Sequence, residues 1–502
     1  MPKYLTRLFA LLVCIFTSTH LIAQESDMGF AVITPENVAD LELGYALPGL
    51  CGGYDPTGQY ILTFGNGIYD IYTGEEVFSL EEAFSGIFSP DGDMFITVNG
   101  DVYDFPSGDL RFSPDISDGD FSLSPDGRYL MVLNQTDNYN IDVYDLVTQE
   151  RLYTLDSSAI FSSTGAYMMV DAQGNLSDRR GVIETSTGET IIESDAFLKP
   201  EYQFYFSPDD RYFIDSREFT VFDLEAETYL FKVQPSDRYY TTIAFSPDSQ
   251  YIAVADDGIF TLPEGERVLT TDGAFPSFSS DGTLVALSDD SVYEVGTWEQ
   301  VLDLSDITGV VEFTNDNNYL HFYSRRVMHI TTGEALELEV GDTTRLSPNQ
   351  DLLISLDRGI YDLESFEQLV TFDFEEPYTR FVSIPFNPQQ TVMARSFNFV
   401  SNAFFYDLCL VYGVAGTDWA YRSGLVTAEN AIPVYNAPNG EEITDISDML
   451  VVFSQTEDGA WYRVSVDGAV DLDLEPPPLW ISADDVTPIS MPEGIPIEDP
   501  NA

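Results

Sequence analysis

Basic residues are scarce in this chain: Lys and Arg number 21 against 85 Asp and Glu, so 502 residues carry a formal net charge of -64 at pH 7. A nucleic-acid backbone needs a basic track, and a surface this acidic repels one by the Coulomb term that would otherwise attract it. Anionic lipid is a poor partner on the same ground. Histidine is nearly absent, with His321 and His329 the pair beyond the first 23 residues. So small a supply argues against His-built metal sites and against a Ser-His-Asp triad. The chain has no Gly-x-Ser-x-Gly elbow, no phosphate loop and no Cys-x-x-Cys. No apolar run after residue 23 is long enough to span a bilayer. No helical periodicity of useful length runs through 39–412, which disfavours helical solenoids.

The first 23 residues read differently. Lys3 and Arg7 precede an apolar run over 8–22, and Ala23 stands before the polar Gln24-Glu25-Ser26. That is the pattern of an export signal, and the run is short of the roughly 20 residues a membrane anchor requires. The expected location is therefore outside the cytoplasm: secreted, at the cell surface or in the periplasm or envelope. Cleavage leaves Cys51 and Cys409, one near each end of the stretch 39–412. In an oxidising compartment they can form a disulfide; the alternative is two separate buried thiols. The acidity itself fits a highly solvated surface, or else a face for calcium or a cationic partner. No acidic run has EF-hand spacing, and the nearest cluster, 115–120, reads as a loop. The expectation is no cofactor and no metal, with calcium the one candidate.

What the chain has in quantity is one repeated pattern. In 123–155, Ser124-Pro125-Asp126-Gly127 is turn chemistry, because Pro presets φ, Asp bonds nearby backbone and Gly accepts φ > 0. Strands are expected over 129–133, 141–146 and 151–155. Ten segments carry such a turn, starting at Tyr54, Phe88, Leu123, Phe161, Phe206, Phe245, Phe278, Phe313, Leu346 and Phe386. About 15 residues after each comes a second landmark, such as Tyr69-Asp70, Tyr144-Asp145, Phe222-Asp223 or Tyr361-Asp362. Recurrence of paired landmarks marks a repeat architecture. A period of about 33 to 45 residues with four short strands fits a propeller blade, and the fold class is all-β. The shortest unit places strands at 85–88, 94–98, 101–105 and 109–112, with Asn99-Gly100 as a hairpin turn.

On these motifs the array resembles WD-repeat and TolB-type β-propeller repeats, in which the Ser-Pro-Asp-Gly turn joins the first two strands and an aromatic-Asp pair ends the third. It departs from the WD pattern, since Tyr or Phe stands for Trp and the Gly-His pair is missing. Ten four-stranded blade-like repeats exceed the four to eight usual for one ring. A single ring is the preferred reading because no Pro/Gly/Ser linker divides the array, and two smaller rings are the alternative. The last unit lacks a final strand, which the lead-in 39–47 can supply, closing the ring and leaving no open edge.

The domain reading is a signal peptide (1–23), a lead-in (24–38), propeller repeats (39–412), a linker (413–423), a small β domain (424–487) and a disordered acidic tail (488–502). The small domain resembles bacterial SH3-like β-barrel modules through Asn430-Ala431-Ile432-Pro433-Val434-Tyr435, Gly459-Ala460-Trp461-Tyr462-Arg463-Val464 and Trp480-Ile481. That resemblance implies binding of wall peptides or other ligands, with Tyr435, Trp461 and Trp480 as contacts or as core.

Candidate ligand residues in the ring are arginines. Arg179, Arg180, Arg217, Arg325, Arg326 and Arg358 recur just before the third strand, where other units carry Asp or Gly. Arg suits carboxylate or phosphate recognition, and pairing with neighbouring acids is the competing reading. A two-residue turn at Ser324-Arg325 would set His321 opposite Met328 and His329 opposite Leu320, on different faces. No catalytic residue is assigned. The expectation is a monomeric, non-catalytic binding or scaffold protein for protein, peptide or cell-wall ligands. The alternative is a propeller hydrolase or lyase using loop carboxylates such as Asp256-Asp257 and Asp289-Asp290, with calcium if any metal.

Overall fold

The computed structural model describes residues 30–490 apart from 65–66, 80–85, 115–120, 135–139, 157, 171–180, 194–203, 216–218, 236–240, 306, 308, 323–325, 339–343, 356–357, 372–385 and 402–403 in the repeats, and 415–423, 428–431, 436–437, 439–441, 447–448, 457–458 and 466–478 beyond them. Each repeat folds as the turn chemistry dictates. In the third, Phe121–Leu123, Tyr129–Asn134, Asn140–Asp145 and Glu150–Leu155 form one antiparallel meander. Ser124 makes its first turn. Its hydroxyl accepts from the Tyr129 N–H at 2.8 Å and donates to Asp126 at 2.5 Å, while Gly127, at φ +74°, donates its N–H to the Ser124 carbonyl at 2.8 Å. Second strands are largely buried, entirely so in Met94–Thr97, whereas fourth strands such as Glu76–Ser79 keep exposed ends.

Nine such four-stranded sheets follow one another, and a tenth is built from Met393–Ser401, Phe404–Val414 and Leu41–Pro48, with Phe386 bridging to Met393. Among the described residues, apolar clusters join every pair of consecutive blades. Leu62 and Ile68 of blade 1 pack on Phe95 and Phe105 of blade 2, Tyr144 of blade 3 on Ile96 and Leu130 around the second junction, and Tyr361 of blade 9 on Tyr319 and Val327 of blade 8. The last cluster returns to the start, with Val392, Ala394 and Val411 of blade 10 against Ile61, Tyr69 and Ile71 of blade 1. The fold is a ten-bladed β-propeller. From blade 5 to blade 8 the first strands of neighbouring blades meet one another, which puts them innermost. The third-strand landmarks Tyr69, Tyr144, Phe222, Phe260 and Tyr361 are buried in these junctions, since no single small sheet could cover them alone.

Closure uses the chain's beginning. Leu41–Pro48 pairs antiparallel with Phe404–Val414, Leu41 opposite Val414 and Pro48 opposite Leu408. Ahead of it, Ile33 donates its N–H to the Gln390 carbonyl at 2.7 Å and its carbonyl accepts from Gln390 Nε2 at 2.6 Å, and Tyr45 donates its hydroxyl to the Ile71 carbonyl at 2.5 Å. Cys51 and Cys409 are disulfide-bonded across the same junction, with Cα atoms 4.8 Å apart and a separation of 358 positions in sequence. Both are buried.

The tenth blade is also the longest. Met393–Ser401 and Phe404–Val414 span 9 and 11 residues, against three to six for the second and third strands of the other blades.

Beyond the ring lies one seven-stranded sheet, in the order Glu442–Ile446, Ile432–Tyr435, Leu479–Ser482, Trp461–Ser465, Met449–Gln455, Gly424–Thr427, Thr487–Ser490. Its last strand pairs with Gly424–Thr427, so residues 488–490, assigned to the tail from sequence, belong to the sheet because they cover its edge. No helix among the described residues is long and apolar enough to cross a membrane.

Candidate functional site

Antiparallel meanders give the ring two faces. One carries the turns joining strands 1–2 and 3–4, and the other the 2–3 turns and the blade-to-blade crossings. On the first face nearly every landmark acid is engaged. Asp70 accepts from Gln59 Nε2 (2.8 Å) and from the Tyr72 and Thr73 N–H groups (2.9 and 3.0 Å). Asp145 accepts from Arg128 Nη2 (2.9 Å) and the Val147 N–H (2.8 Å). Asp223 takes Arg211 (3.2 Å) and the Ala226 N–H (2.9 Å) in the same way. The aromatic-Asp pair is thus a cap for the next turn. At Asp281 burial opposes ionisation, yet hydrogen bonds from the Thr283 N–H and hydroxyl, Ser279 and Asn317 bring its pKa down to about 2.

In five blades the glycine of the first turn is replaced, by Asp210, Ser249, Asn317, Gln350 and Gln390, all with φ between +56 and +58°. Several of these side chains reach back to the preceding blade. Gln350 accepts from the Asn315 N–H, and Gln390 from the Asn349 N–H at 2.8 Å while donating to Asp351 at 2.7 Å. Asp210 accepts from the hydroxyls of Ser162 at 2.5 Å and Thr164 at 2.6 Å. In sequence these positions are departures from Ser-Pro-Asp-Gly with no partner in view. The signal available was the coincidence of Asp210 with Thr164, a turn lacking its own Asp.

The opposite face held the catalytic alternatives. Asp257 accepts from the Gln234 N–H at 2.5 Å and from Arg267. Asp290 accepts from Thr271 and from the Tyr293 hydroxyl at 2.9 Å. Both tie loops and outer strands together.

The histidine hairpin differs from expectation. Phe322 pairs with Arg326, one step away from the register of a two-residue turn: His321 lies opposite Val327 and His329 opposite Tyr319. The two histidines therefore share a face. They still serve different neighbours, because His329 Nδ1 accepts from the Thr331 and Thr332 N–H groups at 3.1 and 3.2 Å. His321 stands between Glu312 (Nδ1 to Oε1, 2.9 Å) and Thr344 (Nε2 to Oγ1, 2.8 Å). This is a carboxylate, imidazole and hydroxyl in line, an arrangement sequence reading missed because the three come from two blades. Its exposure is the reverse of a nucleophilic triad: Thr344 and His321 are buried, at 2% and 0%, and Glu312 is the partly open end. It joins blade 8 to blade 9.

Of the arginines, Arg326 opens the third strand of blade 8 and pairs with Glu337 on the fourth. The Arg358 carbonyl accepts from Gln368 Nε2 at 3.1 Å. Arg179, Arg180, Arg217 and Arg325 lie outside the described residues. In the C-terminal sheet, Tyr435 and Trp461 stack edge to face with ring centroids 5.3 Å apart and are half-buried. Trp480 is core, 1% exposed, so it has no face left for a ligand. Among the described residues no group of three or more His, Cys, Asp or Glu side chains could hold a metal ion.

No protein-family model matches the chain, and no curated protein matches it. Among solved structures it is similar to one described as the eukaryotic initiation factor, at 12% identity and TM-score 0.41, covering 65% of this chain and 97% of that one. It is similar also to the C-terminal WD40 domain of Sif2, at 9% identity and TM-score 0.37, covering 75% and 99%. A third is the Cps50 (Swd1) β-propeller domain of Myceliophteria thermophila, at 13% identity and TM-score 0.26, covering 50% and 94%.

Proposed function

We propose that the chain is an exported, non-catalytic scaffold whose rigid ring and C-terminal sheet present surfaces to a protein or peptide partner. The observation that carries this reading is the use made of its reactive groups. The landmark acids, the acid pairs and the Glu312-His321-Thr344 array all bond one strand or blade to another, which builds a stiff frame. A buried disulfide across the ring junction suits an oxidising compartment, in keeping with the export signal read at 1–23. The half-buried Tyr435 and Trp461 support a ligand-binding role for the C-terminal sheet as an SH3-like module.

The test is in-cell cross-linking of the tagged full-length chain, followed by titration of each purified candidate at low and high salt. A saturable partner whose association slows with salt is expected, because the surface is so acidic. Turnover of a substrate panel that disappears in Glu312→Gln would replace the scaffold by an enzyme.

A further inference from the structure

The tenth blade carries an arm. The closing strand ends at Pro48, opposite Leu408, yet its neighbour continues from Leu408 back to Phe404, and Phe397 to Ser401 pair with it residue by residue. Four residues of strand, about 13 Å at the usual rise, therefore project past the closing strand. No partner covers the outer edge of Phe404 to Asp407 among the described residues.

Three features set this arm apart. Natural sheets blunt an open edge with charge, proline or bulges. Over 396–401 and 404–407 this one has no proline and a single charge, Asp407 at its base, in a chain of which 21% is charged. Its pairing also runs without a bulge from Met393 opposite Tyr412 to Ser401 opposite Phe404. Finally, its root is fixed: Ser396 lies opposite Cys409, the Ser396 hydroxyl accepts from the Cys51 N–H at 3.0 Å, and Cys409 is bonded to Cys51.

We propose that this arm binds an extended segment of a partner protein as an added strand, in line with Leu41–Pro48. The slot is already defined by the pairing that precedes it, since a strand laid beside Phe404 to Asp407 continues the fourth-strand position of the blade. The net charge of -64 selects the occupant: a segment flanked by Lys or Arg is drawn in and an acidic one repelled. The proposal deepens the scaffold reading and rests on it.

A labelled peptide, Lys-Thr-Val-Thr-Val-Lys-Val-Thr-Val-Lys, is titrated against the full chain and against a variant in which 399–406 is replaced by Asn-Gly, keeping the disulfide. Binding at least tenfold weaker in the shortened chain is expected, with weaker binding of the Glu-for-Lys peptide. The same peptide N-methylated at alternate residues, which cannot pair along an edge, is expected to lose binding to the unaltered protein. This arm of the test stands even if the shortened chain does not fold. Equal binding by both chains, equal binding of the methylated peptide, or no binding at all overturns the proposal. So does arm-dependent binding to phosphatidylcholine vesicles without peptide binding, which would make the arm a lipid contact. A cross-linked partner that binds the shortened chain undiminished would leave the scaffold standing and remove the arm.

Discussion

Asp210 of blade 5 completes the turn of blade 4: its carboxylate accepts the Ser162 hydroxyl at 2.5 Å, the role that Asp126 plays for Ser124 within a single turn. The blade-4 turn has Thr164 where its neighbours have Asp, and the next blade supplies the missing group from a residue held at φ +58°. Asp210→Ala should therefore cost about 2–3 kcal/mol, combining the strain of a left-handed alanine with loss of the acceptor for the buried Ser162 hydroxyl. Asp210→Gly with Thr164→Asp restores the ordinary motif and should recover most of that loss. Urea unfolding of the single and double variants measures both, and an uncoupled pair would show that the bond contributes nothing.

Asp281 and Asp210 predict opposite pH behaviour. Hydrogen bonding outweighs burial at Asp281 and lowers its pKa from 3.8 to about 2, so its stabilisation is present above the unfolded pKa and is lost as pH falls through about 2. The carboxylate is solvent-exposed, which holds the effect to about 1 kcal/mol. At Asp210 burial outweighs the bonds from Ser162 and Thr164 and raises the pKa, so the protonated form favours folding, and that contribution is fully present below the unfolded pKa and is lost as pH rises through the folded one. Stability of wild type minus Asp281→Asn, followed from pH 6 to 2, should shrink with acid. The corresponding difference for Asp210→Asn should grow.

The disulfide spans 358 residues, and the chain-entropy model assigns such a loop about 5–6 kcal/mol. Cys51→Ser with Cys409→Ser should lower stability by less than that, because Leu41–Pro48 still closes the ring. Both sulfurs are buried, so the native protein should resist reductant until it is unfolded. Thiol titration of the unreduced, denatured chain lacking 1–23 should find no free thiol. Two free thiols would contradict the bridge.

Gly359 begins the third strand of blade 9 at φ +146°, and a Cβ there would lie 1.8 Å from the Val370 carbonyl oxygen on the fourth strand. Backbone cannot yield as a side chain can, so Gly359→Ala should cost about 3 kcal/mol or more, on the order of a severe overpacking. Gly333→Ala, whose Cβ would meet only Leu302 Cδ1 at 3.7 Å, is the control for left-handed strain alone and should cost about 1 kcal/mol. Thermal unfolding separates them.

Thr344→Val should destabilise by about 1–3 kcal/mol by removing the buried bond between His321 Nε2 and the Thr344 hydroxyl. Thr344→Ser should restore the loss. If the valine variant unfolds at the wild-type temperature, the Glu312-His321-Thr344 array does not join the blades.

What the sequence determined by itself was local and periodic. Ser-Pro-Asp-Gly turns, aromatic-Asp landmarks and Asn99-Gly100 located the strands to within a residue or two, because turn geometry and strand alternation act over a few residues and repeat ten times. It also pointed to 39–47 as the closing strand, since a ring with one strand short at its end needs one spare at its start. Only the tertiary structure decided the rest. The His321 register lies one step away from that of a two-residue turn, and a slip of one exchanges the faces of a strand. Pairing of Asp210 with Ser162, of His321 with Thr344 and of Cys51 with Cys409 joins groups 48, 23 and 358 positions apart. Such contacts exist only once consecutive blades are pressed together, because the burial that fixes them is shared between two sheets and written in neither alone.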